Sequence, residues 1–503
     1  MTEVLLGIDV GTASTKGLLA TPTGQIVAKT VREHALSLPR PGWAEMDADQ
    51  IWWSDIVDIS RELAEAADQQ GSRIVGVCVS GIGPCVLATD ADGRPLRPAI
   101  MYGIDMRATS EIEELSDRYG SEQIFRRCGK VLSTQSVGPK LAWLAKNEPE
   151  VWADTRKIFN SNSWLAFRLT GEYVADHQTA SQSDPLYDMH RRSWIDDWAG
   201  DLAPDVELPR LVWPTEVIGT ISAAAAAETG LAEGTPVSAG TIDAWSEAFG
   251  AGVRRPGDLM LMYGSTMFFV QVLGDYAGHD MLWTTNGVDR DQYTLAAGMA
   301  TSGSLTQWLQ QLTGDVDFST LVAEAREVPP GSDGLLMLPY FAGERTPIFD
   351  PRARGVVAGL SLRHGRGHLF RAAYEGIAYG IRQIVGFLGE VEQGTTERRL
   401  VAVGGGTQGG LWTQIVSDVT RLPQDVPAET IGAAYGDALM AAIGTGLVAA
   451  DTDWARVQQT IRPNPQTREV YDQLFDAYGR LYSTTRDDVH LLAELQEQSA
   501  TDG

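Results

Sequence analysis

Two stretches of the chain, one near the start and one just past the middle, have the same form. VLLGIDV, the turn GTAS and TKGLLAT at 4–21 read as a buried strand, a small polar turn and a second buried strand. DLMLMY, the turn Gly264-Ser265-Thr266 and MFFVQVL at 258–273 read the same way. A third strand, QIVAKTV, follows the first pair after Pro22-Thr23-Gly24, so the chain opens as a meander. Around residue 235 the pattern starts again, with TPVSAGTIDA as a strand running into a helix at Asp243. With 503 residues the chain exceeds what one hydrophobic core usually organises. The expectation is therefore two similar halves, 1–241 and 242–503, facing a shared cleft. Helical patterns alternate with strands throughout, as in DADQIWWSDIVDISRELAEAA followed by RIVGVCVSG, which predicts an α/β fold.

The formal charge of −26 argues against nucleic acid or an anionic membrane surface as the main partner. Such a chain can still hold a polyanion, but only locally, with backbone N–H groups and a bridging cation. Cys78, Cys85 and Cys128 are odd in number and show no CxxC spacing, so neither a disulfide framework nor a zinc site is expected. The opening MTEVLLGIDV lacks the basic start and cleavage site of a signal peptide, and no apolar run reaches membrane-spanning length. A cytoplasmic protein is the expectation.

The turn after Asp9 is the first candidate site. A dinucleotide fingerprint needs a glycine turn that opens a helix, and a strand follows here. A Walker A loop needs Gly, Lys and Ser or Thr in that order, whereas Lys16 precedes Gly17. What remains is a strand-turn-strand loop whose amides and hydroxyls face a phosphate, with Asp9 nearby to manage a metal. The second half adds MATSGSLTQWLQQL, in which Gly303 and Gln307 lie one helical turn apart, and LVAVGGGTQGGLW, whose glycines let a flat ligand approach the backbone. His177, His190, His364 and His368 have no metal-binding spacing. Trp52, Trp53 and Trp143 sit at helical spacing, as core and interface residues do. The tail beyond about Leu492 is expected to fray.

Together these stretches resemble the FGGY family of carbohydrate kinases over nearly the whole length. The opening ID-x-GT-x-S-x-K looks like that family's first phosphate loop. GVVAGLSLRHGRGHLFRAAYE at 355–375 fits its C-terminal signature, with Gly355, Gly359, His368 and Glu375 as markers. KLAWLAKN at 140–147 resembles the core of the N-terminal signature, with Val137 where Pro, Ser or Thr is usual. FRLTGE at 167–172, GGGTQGGLW at 404–412 and PAETIGAAYGDALMA at 427–441 resemble further blocks.

The resemblance implies two ribonuclease H-like domains of the actin-like ATPase and sugar-kinase type flanking a deep cleft, in which MgATP and a small sugar meet. It implies Asp243 as general base, where the residues alone favour a helix N-cap. It implies that Asp9 orients Mg²⁺ or its waters, and that Thr12, Ala13, Ser14 and Lys16 form the first phosphate loop. Gly264, Ser265 and Thr266 would form the second, with Gly303, Gln307, Gly405 and Gly406 as further ATP contacts. Glu344 and Arg345 receive no role.

On the sugar side the pattern departs from the family. Ile82-Gly83-Pro84-Cys85 stands where xylulose-kinase relatives carry Gln-Met-His-Gly, so the histidine is missing, and a lost hydroxyl-reading group changes specificity strongly. MYGIDMR resembles the family's Trp-x-Asp-x-Arg segment, with Tyr102 for Trp and one extra residue. Gly83, Pro84, Asp105 and Arg107 are nonetheless the expected sugar-lining residues. LTGE and GGGTQGGLW lean towards a ketopentose such as xylulose; another ketose or a four- or five-carbon polyol is the alternative. A nucleotide-dependent switch without a sugar substrate, or a silent sugar sensor, are readings of other classes. A homodimer is expected only at the level of the family.

Overall fold

The computed structural model describes residues 2–391, 398–429 and 432–501. The first half builds a six-stranded sheet from β1 (Thr2–Val10), β2 (Ser14–Ala20), β3 (Ile26–Glu33), β4 (Ser72–Gly81), β5 (Val217–Thr220) and β6 (Pro236–Ser238). Its order is β5-β6-β4-β1-β2-β3. The second half builds a seven-stranded sheet from β7 (Asp258–Tyr263), β8 (Met267–Leu273), β9 (Trp283–Asn286), β10 (Tyr293–Met299), β11 (Arg399–Val403), β12 (Gln424–Pro427) and β13 (Val457–Ile461), in the order β9-β10-β8-β7-β11-β12-β13.

The two sheets share one plan. β1 runs antiparallel to β2 and parallel to β4; β7 runs antiparallel to β8 and parallel to β11. β3 extends the first hairpin as β10 extends the second, and a further parallel strand, β6 or β12, follows on the other side. The repetition expected from the two hairpins is thus a repetition of topology, and it places both turns at corresponding ends of central strands. Apolar residues run continuously along β1, buried from Val4 to Val10, as the inner strand of a covered sheet requires.

Two helices lie between the sheets, α2 (Asp243–Gly250) and α6 (Ala433–Gly444); the others named here are α1 (Ser54–Gln69), α3 (Gly303–Leu312), α4 (Arg366–Val391), α5 (Leu411–Thr420) and α7 (Arg468–Thr501). One apolar cluster joins Leu5, Leu18 and Cys78 of the first sheet through Phe249 and Ala438 to Met260 and Val401 of the second. The approach depends on missing side chains. A Cβ at Gly7 of β1 would run into the Ala434 carbonyl of α6, and one at Gly436 would run into the Ser246 carbonyl of α2.

The C-terminal end differs from its expectation. α7 continues as helix to Thr501; Ala493 is buried, and Arg352 pairs with Glu494 at 2.8 Å. A long amphipathic helix whose apolar side lies against the second half has contacts that a free tail lacks. Trp52, Trp53 and Trp143 are buried, as their spacing indicated. Within 427–441, residues 430 and 431 lie outside the described residues. Among the described residues no helix is long and apolar enough to cross a membrane.

Candidate active site

The two hairpin turns are built so that their carbonyls point back into the protein. At the first, Gly11 N–H closes on the Ser14 carbonyl at 3.0 Å, and the Gly11 and Ala13 carbonyls are both taken by His34. At the second, the Ser265 carbonyl accepts from the amides of Ser302 and Ser304, each at 3.1 Å, and from Ser304 Oγ. These donors start α3, where Gly303 N–H also reaches the Gly264 carbonyl; a Cβ on Gly303 would sit 2.6 Å from that oxygen. In a trans peptide the carbonyl and the following N–H point in opposite directions. Drawing the carbonyls of Gly11 and Ser265 inward therefore turns the amides of Thr12 and Thr266 outward, and neither donates to any group among the described residues. Outward amides at a tight turn make an anion-binding concavity.

Behind these turns lies a set of carboxylates, Asp9 and Asp437 buried, Asp243 and Glu247 half-buried. Asp9 is the last residue but one of β1 and is raised to about 6 by burial, against the pull of Lys16 opposite it on β2 and of a Ser80 hydroxyl. Asp243 opens α2. The N-cap position falls on Ile242, so Asp243 is the first helical residue rather than the cap, and its Oδ1 accepts the Ala244 N–H at 2.8 Å. Burial and then the charge of Asp9 push Asp243 well above the usual carboxylate range. Glu247, one turn along α2, is raised to about 7 by burial and Asp9. Asp437 of α6 lies behind, also raised by burial, and takes hydrogen bonds from Ser80 and Ser246 at 2.7 Å each. Asp437 thereby ties β4, α2 and α6 together under Asp243. Among the described residues no group of three His, Cys, Asp or Glu is arranged to hold a metal ion.

A cavity of about 450 Å³ opens between the halves. Gly83 and Pro84, just past the end of β4, line it together with Asp243 and Trp245 of α2 and Thr266 of the second turn. Tyr102 joins the walls: its hydroxyl lies 3.0 Å from Thr12 Oγ1, and its acidity is set by burial, then by Thr12, Asp243 and Arg345. The hydroxyl-lined rim, the carboxylate and the second turn therefore meet at one place.

Asp105 and Arg107 correct the sequence reading. Neither lines this cavity. Their side chains are fully enclosed and paired at 2.7 Å, Arg107 also reaches Glu45 at 2.8 Å, and the guanidinium lies over the Trp43 ring at 4.0 Å. Ile104 and Met106, the residues just before each member of the pair, line the cavity instead.

Several wall residues carried no signal in the sequence: Lys130, Gln135, Gln182, Asp184, Trp283 and Arg345. Lys130 donates to the Ser181 carbonyl at 2.7 Å and lies 3.6 Å from Asp184. Arg345 donates to the Met299 carbonyl, and its neighbour Glu344 is pushed up to about 8 by burial. Gln307 is exposed on α3. Gly405 and Gly406 begin a turn whose continuation, Thr407 to Gly410, lines a second, more open cavity of about 760 Å³.

Comparison with known proteins decides the family. The N-terminal domain model of the FGGY family of carbohydrate kinases matches residues 4–250, and the C-terminal domain model matches 259–445. The chain belongs to the FGGY family of carbohydrate kinases. It is a sugar kinase, a phosphotransferase that uses ATP. Relatives of this FGGY kinase include the xylulose kinase of Lactococcus lactis, 27% identical with 98% of this chain and 99% of the relative aligned. A glycerol kinase of Nocardia farcinica is 30% identical, covering 90% of this chain and 94% of that protein. The crystal structure of xylulose kinase from Rhodospirillum rubrum superposes with a TM-score of 0.88 at 34% identity, over 97% of this chain and 100% of that one.

The signature residues of this FGGY kinase serve the frame around the cleft. Lys140 is buried and donates to the carbonyls of Thr134 and Ser136 at 2.6 and 3.3 Å, which fixes the turn carrying Gln135. Glu375 of α4 accepts from Gly331, Ser332, Arg371 and Tyr471 within 3.0 Å. Gly359 has a φ of +87°, and a Cβ there would meet the Gly334 carbonyl.

Proposed function

We propose that this chain transfers the γ-phosphoryl group of MgATP to a hydroxyl of a ketopentose, with xylulose as the acceptor of first choice. The observation that carries the reading is Asp243 in the wall of the cavity between the halves, which Thr266 of the second turn and Pro84 also line. Two of the relatives named above are xylulose kinases and one is a glycerol kinase, so other ketoses and small polyols belong in the same assay.

The residues fit MgATP. The outward amides of Thr12 and Thr266 offer two phosphate contacts, and Lys16 supplies a cation beside Asp9 and Asp243. Magnesium held with the nucleotide would neutralise phosphate charge; Asp9 would meet it through water, since its other ligands come from phosphate and solvent. Ser14, Ser265 and Gly264 complete the turns, and Gly303, Gln307, Gly405 and Gly406 remain the proposed nucleotide contacts of the second half. The division at 241/242 then falls at the approach to Asp243.

Phosphoryl transfer asks the protein to align the acceptor, offset charge and accept one proton. The Ala244 N–H fixes Oδ1 of Asp243, which leaves the other carboxylate oxygen to take the acceptor proton as its oxygen bonds to phosphorus and ADP leaves. Burial raises the basicity of that carboxylate. Gln135, Gln182 and Lys130 supply polar contacts for sugar hydroxyls, and Trp245, Phe268 and Trp283 exclude water around them.

A panel of ketoses, aldoses, aldonates and polyols, read by coupled ADP release and mass spectrometry of the product, tests the proposal. Xylulose should give a mass gain of one phosphoryl group and the highest kcat/KM. ADP release independent of any acceptor would overturn it.

A further inference from the structure

His34, the residue just past β3, touches the first phosphate turn from behind. Its backbone N–H reaches the Ala13 carbonyl at 3.1 Å. Its ring Nε2 lies 2.9 Å from the Gly11 carbonyl, and its ring Nδ1 lies 2.8 Å from Oδ2 of Asp55 on α1. A carbonyl oxygen only accepts, so Nε2 must carry a proton. Oδ2 of Asp55 also accepts the Thr15 hydroxyl at 2.7 Å, and an ionised carboxylate only accepts, so opposite ionised Asp55 Nδ1 is a donor as well. Both ring nitrogens can donate only in the imidazolium. The ring is enclosed, with 7% of the side chain exposed, against 15% for Asp55.

The second turn shows what this achieves. There the Ser265 carbonyl is held by the N-terminal amides of α3, the positive end of a helix. At the first turn the Gly11 carbonyl is held by the His34 ring instead.

We propose that His34, as the imidazolium paired to Asp55, is a positioning residue that holds the Gly11–Ala13 turn with its amides facing the nucleotide phosphates. This rests on the kinase reading of the same site. The hydrogen bond and charge of Asp55 raise the pKa of His34. Asp55 is the titratable group in contact with the ring. On the same flank, Arg32 of β3 is bonded to Glu62 and lies in the field of Asp55 and Asp58 of α1, while Lys16 on β2 acts on Asp9 and Asp243. A raised histidine pKa means that the clamp is complete at low pH and is lost as pH rises through the value in the folded protein.

The test uses the whole protein and MgADP binding by calorimetry across the pH range, which needs no acceptor. In the wild type, affinity should fall on the alkaline side. His34→Gln should weaken MgADP by about tenfold at neutral pH, the scale of one charge-assisted hydrogen bond, and abolish that alkaline fall. Asp55→Asn should move it to lower pH. Acceptor KM, measured separately, should change little. Imidazole ¹⁵N shifts of a neutral ring at neutral pH, or His34→Gln with wild-type affinity and pH dependence, would overturn the proposal. A wild type that binds no MgADP at any pH would instead count against the kinase reading.

Discussion

Asp9 lies near the end of the first strand and Asp243 opens the first helix of the second half, yet the charge of Asp9 raises the pKa of Asp243 above what burial alone does. Two carboxylates withdrawn from water in one field do not both ionise cheaply, and they titrate as a pair. Lys16 opposes the effect on both.

From this pairing the acid side of the pH-rate profile follows. Asp243 works as the ionised base, so kcat should rise with pH through the range to which it is pushed. Asp9→Asn removes the neighbouring negative charge and should shift that limb to lower pH while reducing the rate. A limb that stays in place in Asp9→Asn would separate the two residues.

Glu344 offers a test of burial by stability. One of its oxygens accepts the Ala300 and Arg345 amides at 2.6 and 2.8 Å, and the other is buried without a partner. Burial pushes it up to about 8, so it is neutral at pH 7. A raised folded pKa gives stability that is present below the unfolded value and lost as pH rises through about 8. Melting temperature should fall across that range in the wild type and fall less in Glu344→Gln; equal slopes would contradict the assignment.

Glu375 should matter for stability and not for chemistry. It accepts four hydrogen bonds inside the second half and touches none of the cavity residues. Glu375→Ala strands the buried Arg371 guanidinium and should cost about 3–5 kcal/mol in denaturant unfolding, with kcat/KM per folded molecule retained.

How far the sequence was readable depends on how local each feature is. The hairpins around Gly11 and Ser265 and the strand entering Asp243 are continuous stretches, and each took the predicted form. Asp105 and Arg107 went the other way, because their enclosure depends on Glu45 and Trp43 from another segment, which spacing alone does not reveal. Arg345, Trp283 and Gln182 lie on separate segments that only the tertiary fold brings to one wall. The contact of His34 with Gly11 joins the end of β3 to a turn two strands earlier, where no sequence period reports it. At the end of α7 the Glu and Gln content describes the exposed side and does not announce the contacts of Ala493 and Glu494.

Turnover of Asp243→Asn, measured with the best acceptor alongside MgATP binding by calorimetry, bears most directly on the central claim. Turnover should fall by about 10² to 10⁴, the usual cost of losing a general base, with nucleotide affinity close to wild type. Near-normal turnover in that variant would contradict a mechanism in which Asp243 takes the proton.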